Sequence, residues 1–179
     1  EEIVQKIPDI SDIYPRLEDA MEFSAAQVSA LVSKHPDQFP MYTREGKWYL
    51  AGETWTNWCE GFPGGMMWIF YRQTGDPVWR QRAERYSRLI EERQHDRTVH
   101  DLGFLFWSTY KRWYDLTQDP AVHQVVINAG KTMGMRFKEK GQYLRSFLAQ
   151  DSLFIDIMMN VGIIFYAAEQ TGDEGLLRA

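Results

Sequence analysis

The chain has 179 residues, of which 44% are hydrophobic and 15% aromatic, and its formal net charge is −5. This apolar content suffices for one domain with a sizeable core and excludes a disordered chain. The negative charge argues against nucleic-acid binding through a general electrostatic field, although a small anion could still bind to local donors. The single cysteine, Cys59, excludes an intrachain disulfide and a cysteine metal cluster.

The ends of the chain and its apolar stretches say little about its compartment. The sequence begins Glu-Glu-Ile-Val, which is not a signal-peptide pattern. The longest apolar stretch is interrupted by Asp156 and Asn160, so no membrane span is predicted. A bacterial cytoplasm or periplasm is the expected location.

Helical periodicity recurs along the chain, and no segment keeps the strict alternation of a half-buried strand for long. Three helices with one apolar and one wet face are predicted at residues 15–34, from residue 77 onward, and at residues 120–139. Three segments that are apolar nearly all round lie at residues 64–73, 102–114 and 152–168. A helix of this second kind should be buried on most sides. Amphipathic helices with one solvent-exposed face therefore alternate three times along the chain with helices that should be buried.

Each buried segment ends in a similar turn, which begins at Thr74, Thr117 and Thr171. Two of these turns read Thr-Gly-Asp, with glycine past the old helix and aspartate capping the next. The repeating unit is therefore a helical hairpin. The simplest all-α architecture that buries alternate helices is an α/α toroid of two concentric rings. Three hairpins make half of such a ring, so we expect a part of a longer polypeptide.

The candidate functional residues fall on one predicted rim of the toroid. There the long connections from outer to inner helices meet, at residues 35–63, 94–101 and 141–151. The N-termini of the inner helices point at the same rim, which suits an anion. Trp58 is a candidate platform for a sugar ring, or a buried plug of the ring. Asp101 is either functional or an N-cap, and His100 either functional or a hydrogen-bonded loop residue.

Asp156 stands out because Ile, Phe and Met surround it in the sequence. The pattern places it about one turn inside the third buried helix, where capping does not explain it. Burial and a second carboxylate would both raise the pKa of Asp156, as a general acid requires. The alternative is a buried ion pair with an arginine. Asp101 and Asp156 thus outline an acid–base pair. The four histidines show no metal-ligand spacing, so neither metal nor cofactor is predicted.

Three motifs together resemble the unsaturated glucuronyl hydrolases, glycoside hydrolase family 88. They are Trp58-Cys-Glu-Gly-Phe-Pro-Gly-Gly-Met-Met-Trp68, His100-Asp-Leu-Gly-Phe104 and Ser152-Leu-Phe-Ile-Asp-Ile-Met-Met-Asn160. The resemblance implies a ring of six hairpins, an (α/α)6 barrel, of which residues 1–179 form the N-terminal half. The remainder of the barrel is then an expected partner of this half. It should carry the family's other sugar-binding residues.

The resemblance also implies a reaction, hydration of the C4–C5 double bond in the terminal unsaturated uronic acid of lyase-generated oligosaccharides. Asp156 would protonate C4 and act on the water, while Asp101 would hold the substrate and tune its partner. Trp58 and His100 would lie in the sugar site. The family carries a second tryptophan before the acid, and Phe147, in a shortened connection, is its nearest equivalent here. The product would be a keto-uronate and a shortened sugar.

Three alternatives remain open at this point. An unsaturated rhamnogalacturonyl hydrolase shares fold and mechanism but accepts pectin fragments. A sugar epimerase on a similar ring would usually use paired histidines in its cavity. A non-catalytic sugar-binding or structural toroid would keep Trp58 and the glycines without needing Asp156.

Overall fold

A computed structural model describes residues 11, 13–50 and 54–178, apart from the side chains of residues 54–56. The chain is about 63% helical and divides into two compact units, Glu1–Pro36 and Asp37–Ala179. The first unit contains helix α1 (Tyr14–Lys34), which has a proline in its first turn and matches its predicted bounds within one residue. Across the described residues, every helix is too short or too polar to cross a bilayer.

The second unit alternates long connections with helices. Strands β1 (Tyr42–Arg44) and β2 (Lys47–Tyr49) form an antiparallel hairpin, and a 3-10 helix at Thr54–Glu60 follows. The remaining elements are α2 (Gly61–Thr74), α3 (Pro77–Arg88), a 3-10 helix (Glu91–His95), α4 (Leu102–Phe106), α5 (Tyr110–Thr117), α6 (Pro120–Gly134), β3 (Phe137–Lys138), β4 (Tyr143–Leu144), α7 (Ile157–Asn160), α8 (Gly162–Thr171) and a 3-10 helix (Leu176–Arg178).

The contrast between buried and one-sided helices is visible in α2 and α3, which pack against each other. Helix α2 buries Met67, Trp68 and Phe70, since it has almost no polar face. Helix α3 buries only a stripe that includes Trp79 and Ala83, and its arginines face outward. Helix α6 packs against α5 and α8. The predicted contrast of buried and one-sided helices is therefore confirmed for α2 and α3. It is wrong for the later helices, because α6 buries nine of its fifteen residues and the third apolar segment leaves Met158 and Met159 exposed.

The predicted short turns are also present. Gly75 and Gly172 end α2 and α8 in the left-handed conformation, with φ of 69° and 67°. Gln118 adopts the same conformation after α5, with φ of 54°, so the turn keeps its shape without glycine. Asp76 and Asp119 then cap α3 and α6, because their carboxylates accept from backbone N–H groups two residues later at 2.8 Å.

The structure corrects three predicted boundaries. Helix α6 ends at Gly134 instead of residue 139, because the chain turns back there into the β3–β4 hairpin. The second buried helix is interrupted between α4 and α5, where the Thr109 hydroxyl donates to the Leu105 carbonyl at 2.6 Å. The third begins only at Ile157, because Ser152 is held in a turn by hydrogen bonds with Ala149. Short strands do occur, within the long connections.

The third buried segment shows one exposed apolar face. Leu153, Ile155, Met158 and Met159 are 66–82% exposed, and Phe165 is 47% exposed. All of these except Met159 border, together with Tyr143 and Leu144, a groove of about 450 Å³. Apolar patches of this kind mark surfaces that another polypeptide or ligand covers.

Candidate active site

The two candidate carboxylates lie at equivalent places, each directly before a buried helix. Asp101 precedes α4 and Asp156 precedes α7, and neither side chain caps its helix. The N-cap interpretation of Asp101 is therefore wrong. The placement of Asp156 one turn inside a helix is also wrong, because residues 152–155 are not helical.

His100 lies between the two carboxylates. Its Nε2 is 3.4 Å from Oδ1 of Asp101 and 3.2 Å from Oδ1 of Asp156. Its hydrogen bond goes to Oδ2 of Asp156, at 3.3 Å. This geometry favours a proton on Nε2, from which it is donated to Asp156. Three of the predicted site residues thus form one cluster, although 55 residues separate the two carboxylates in the sequence.

The same three side chains each offer a ligand atom, and these atoms lie within 4.8 Å of one another. A cation would therefore fit by distance alone. One hydrogen bond, from Nε2 to Oδ2 of Asp156, is nevertheless recorded within the cluster, and it needs a proton and no metal. We interpret the cluster as a proton-sharing group.

The two carboxylates differ in burial. The side chain of Asp101 is only 4% exposed, whereas that of Asp156 is 34% exposed. Burial is the main cause that raises the pKa of Asp101 to about 6; the Asp156 carboxylate adds to it, while His100, Arg93 and Arg136 oppose it. The expectation that Asp156 is the buried carboxyl is therefore wrong for the described residues. Nor is its ionic contact an arginine, since it is made to His100.

Asn160 connects the two carboxylate-bearing helices, a role that sequence reasoning missed. It is 1% exposed. Its Oδ1 accepts from the Phe104 N–H at 2.8 Å, and its Nδ2 donates to the Asp156 carbonyl at 3.2 Å. A polar residue inside an apolar segment was the available signal, because a buried amide needs hydrogen-bond partners.

Aromatic side chains lie beside this cluster and beside the helix that follows Asp101. Phe147 lies over His100 with ring centroids 4.9 Å apart, and Phe154, which was not predicted, lies 6.3 Å from the same ring. Trp58 contacts Phe104 and Phe62, at 5.4 and 5.6 Å. The structure thus joins Phe147 directly to the cluster, while Trp58 is tied to α4, the helix that Asp101 precedes.

Arg93 anchors the connection that carries Trp58. Its guanidinium donates to the Asn57 carbonyl at 2.9 Å and to Glu60 at 2.6 Å. It also pairs with Asp96 at 3.2 Å. One side chain therefore holds together the first two connections of the rim.

The close approach of α4 to α7 requires glycine at position 103. A Cβ there would lie 2.6 Å from the Asn160 Cα and 2.8 Å from its carbonyl oxygen, both backbone atoms that cannot move aside alone. We expect Gly103→Ala to lower the free energy of unfolding by about 1–3 kcal/mol, measured by urea denaturation. Gly162→Ala is the matched control, because its Cβ would meet nothing within 4 Å. Equal stability of the two variants would contradict the close packing.

Comparison with curated proteins finds relatives of one kind. The chain is 25% identical over 151 residues to a protein of Bacillus sp. (strain GL1) named unsaturated glucuronyl hydrolase, covering 79% of this chain and 40% of the relative. It is 26% identical over 166 residues to an unsaturated chondroitin disaccharide hydrolase of Streptococcus agalactiae serotype III (strain NEM316), covering 88% and 42%. The chain matches no protein-family model.

Solved structures agree with this relationship. The crystal structure of the unsaturated glucuronyl hydrolase from Streptococcus agalactiae superposes with a TM-score of 0.80 at 25% identity, covering 90% of this chain and 42% of that one. The predicted all-α toroid is confirmed by this likeness, and so is the predicted resemblance to that family. The chain spans about 40% of the length of the curated relatives that it matches.

Proposed function

From the shared sequence and fold that relate this chain to the unsaturated glucuronyl hydrolases, we propose that its protein is a glycosidase acting by hydration. The substrate would be an oligosaccharide whose terminal uronic acid carries a C4–C5 double bond. The observation that carries this proposal is the carboxylate pair bridged by His100, on a rim bordered by aromatic rings. Such a pair can donate a proton and then accept one.

The reaction follows from the electronic structure of the substrate. Its double bond joins C4 to C5, and C5 also bears the ring oxygen, so protonation at C4 leaves a cation at C5 that this oxygen stabilises. Water then adds to C5, and its proton returns to the carboxylate that gave up the first one. The resulting hemiketal opens to a keto-uronate, and the bond to the neighbouring sugar breaks. Because the anomeric carbon is not attacked, the carboxylate-separation rule for retaining and inverting glycosidases does not apply.

The unequal burial of the two carboxylates supports their separate roles. Asp156 is partly exposed and can reach a bound sugar, so we assign it proton donation to C4 and proton removal from water. Asp101 is buried and makes its contact through His100, so we assign it the tuning of its partner. The His100 ring is only 2% exposed. It therefore supports this function by holding the carboxylates more than by touching the sugar.

The flanking rings suggest how the sugar is held. Trp58 and Phe147 are half-buried, so each can present one face of an aromatic ring to a sugar ring while the other packs on protein. Relatives are named for glucuronyl and for chondroitin disaccharide substrates. We propose an unsaturated glucuronyl oligosaccharide as the substrate. The side chains of Trp58 and Phe147 would determine which sugar is accepted next to the uronic acid.

The exposed apolar face of α7 and α8 supports the expected remainder of the barrel as the structural partner. More than half of each of these two relatives lies outside the region that matches this chain. The groove beside Leu153 and Phe165 is lined mainly by apolar side chains, which a further packed helix would cover. We propose that residues 1–179 form the N-terminal half of one α/α-barrel domain, whose other hairpins cover this face.

Ultraviolet absorbance of the C4–C5 double bond tests the reaction directly. The full-length protein is mixed with unsaturated disaccharides prepared by several polysaccharide lyases. We expect the absorbance to fall with glucuronyl substrates, because hydration removes the conjugated double bond. Faster loss with rhamnogalacturonyl fragments would instead favour the pectin branch. A folded protein that never lowers the absorbance of any of these substrates would overturn the hydrolase proposal and favour a sugar-binding toroid.

A further inference from the structure

Arg136 occupies an unusual position for an arginine at the end of an outer helix. It is 5% exposed, although arginine is almost never buried without strong compensation. Its Nε donates to the Arg145 carbonyl at 2.8 Å. Its Nη1 donates to the carbonyls of Arg97 and Val99, at 2.8 and 3.1 Å. Every hydrogen bond recorded for the guanidinium therefore goes to a main-chain carbonyl, and its buried Nη2 has no hydrogen-bond partner among the described residues.

These three carbonyls belong to two different rim connections. Val99 directly precedes His100 and Arg97 lies two residues before Val99, whereas Arg145 lies two residues before Phe147. A backbone hydrogen bond of 3.0 Å from Arg145 to the Arg136 carbonyl completes the link. The connection that bears the histidine and the buried carboxylate is therefore fastened to the one that bears the aromatic ring over it.

Arg136 also contributes its charge. Its pKa is lowered by burial and by Arg145, while the carboxylates of Asp101 and Asp96 oppose that shift. In return, the charge of Arg136 acts to lower the pKa of Asp101. The charged or titratable groups that act on Asp101 also include His100, Asp156, Arg93 and the Cys59 thiol. Arg136 is one of two guanidinium groups that favour the ionised form of this carboxyl.

We propose that Arg136 is a positioning residue for the carboxylate pair, holding the second and third rim connections at a fixed separation. This inference rests on the proposed hydration reaction and adds a residue to it that the motifs do not contain. A fork of planar N–H groups is needed to bind carbonyls from two connections at once, and lysine supplies charge without that fork. The two contributions, geometry and charge, can therefore be separated by substitution.

The experiment compares Arg136→Lys and Arg136→Gln in the full-length protein. We expect Arg136→Lys to lower kcat by about tenfold or more, because small displacements of catalytic groups are costly. The acidic limb of its pH–rate profile should stay in place, since the charge is kept. Arg136→Gln should lose at least as much activity, and its acidic limb should move to higher pH, because Asp101 loses a favourable charge.

Arg97→Gln is the matched control. It removes the same charge from the second rim connection, but its side chain is exposed and only its carbonyl meets Arg136. Activity is normalised to the folded fraction, so a purely structural role would leave kcat of the folded protein unchanged. Folded Arg136 variants with kcat within about twofold of wild type would overturn the proposal.

A second measurement works without turnover. The pKa of Asp101 is followed by carboxyl NMR titration in the wild-type protein and in Arg136→Gln. A higher pKa in the variant supports the proposal even where no substrate is hydrated, a case in which only the hydrolase function would fail. An unchanged pKa in a folded variant contradicts the charge contribution, and if Arg136→Gln does not fold, the kcat of Arg136→Lys decides.

Discussion

Replacing Asp156 by asparagine is expected to stop the loss of absorbance at 25 °C almost completely. The variant keeps the size of the side chain but cannot donate a proton to C4 or accept one from water. General acid–base groups accelerate a reaction by about 10²- to 10⁴-fold. We therefore expect kcat to decrease by a factor in this range, or to become undetectable. The measurement is the initial rate of absorbance loss at saturating unsaturated disaccharide.

Asp151→Asn serves as the control for this experiment. Asp151 is an exposed carboxylate in the same connection, and its replacement removes the same charge. Its rate should stay close to wild type. If Asp156→Asn is folded and retains most of the wild-type rate, Asp156 is not the proton donor. If it binds the disaccharide as before but does not turn it over, a simple binding function is excluded.

Replacing Asp101 by asparagine is expected to make the protein more stable and less active at the same time. Burial is the main cause that raises the pKa of Asp101 from its usual 3.8 to about 6. The folded state therefore binds this proton more tightly than the unfolded state, and wild-type stability falls as the pH rises from about 4 to about 6. Asparagine does not titrate, so the variant avoids this loss.

The expected gain follows from the size of the shift. At pH 7 Asp101→Asn should be more stable than wild type by up to about 3 kcal/mol, and near pH 4 the difference should vanish. Urea denaturation at both pH values measures it. The kcat should nevertheless fall, because the buried charge beside His100 is lost. If the difference in free energy of unfolding between Asp101→Asn and wild type is the same at pH 7 as at pH 4, burial does not raise the pKa of Asp101 as described.

Much of the helical scaffold was predictable because its signals are local. The proline at position 77, the capping carboxylate of Asp76 and the apolar stripe through Trp79 all lie within a few residues of one another. The breaks were not predictable, because they depend on tertiary contacts. Nothing in the sequence around Thr109 distinguishes a hydroxyl that bonds back to Leu105 from one that does not.

The site was predictable in its membership and not in its internal arrangement. The motifs identified His100 and both aspartates, which remain predictions as catalytic residues. That Asp101 is the more buried of the two depends on how α4 packs, which is a property of distant contacts. The contacts of Arg136 could not be predicted for the same reason, because its partners are main-chain carbonyls, which every residue has.

The contact between Gly103 and Asn160 has a consequence for how such proteins diverge. It fixes the spacing of the carboxylate-bearing helices through main-chain atoms and one amide, below the rim and independent of the length of the connections above. Under the proposed hydration reaction, insertions or deletions near Trp58 or Phe147 could therefore alter which sugar is accepted and leave the spacing of Asp101 and Asp156 intact. Related proteins with this fold could then differ in the polysaccharide fragments that they accept while they keep the same reaction.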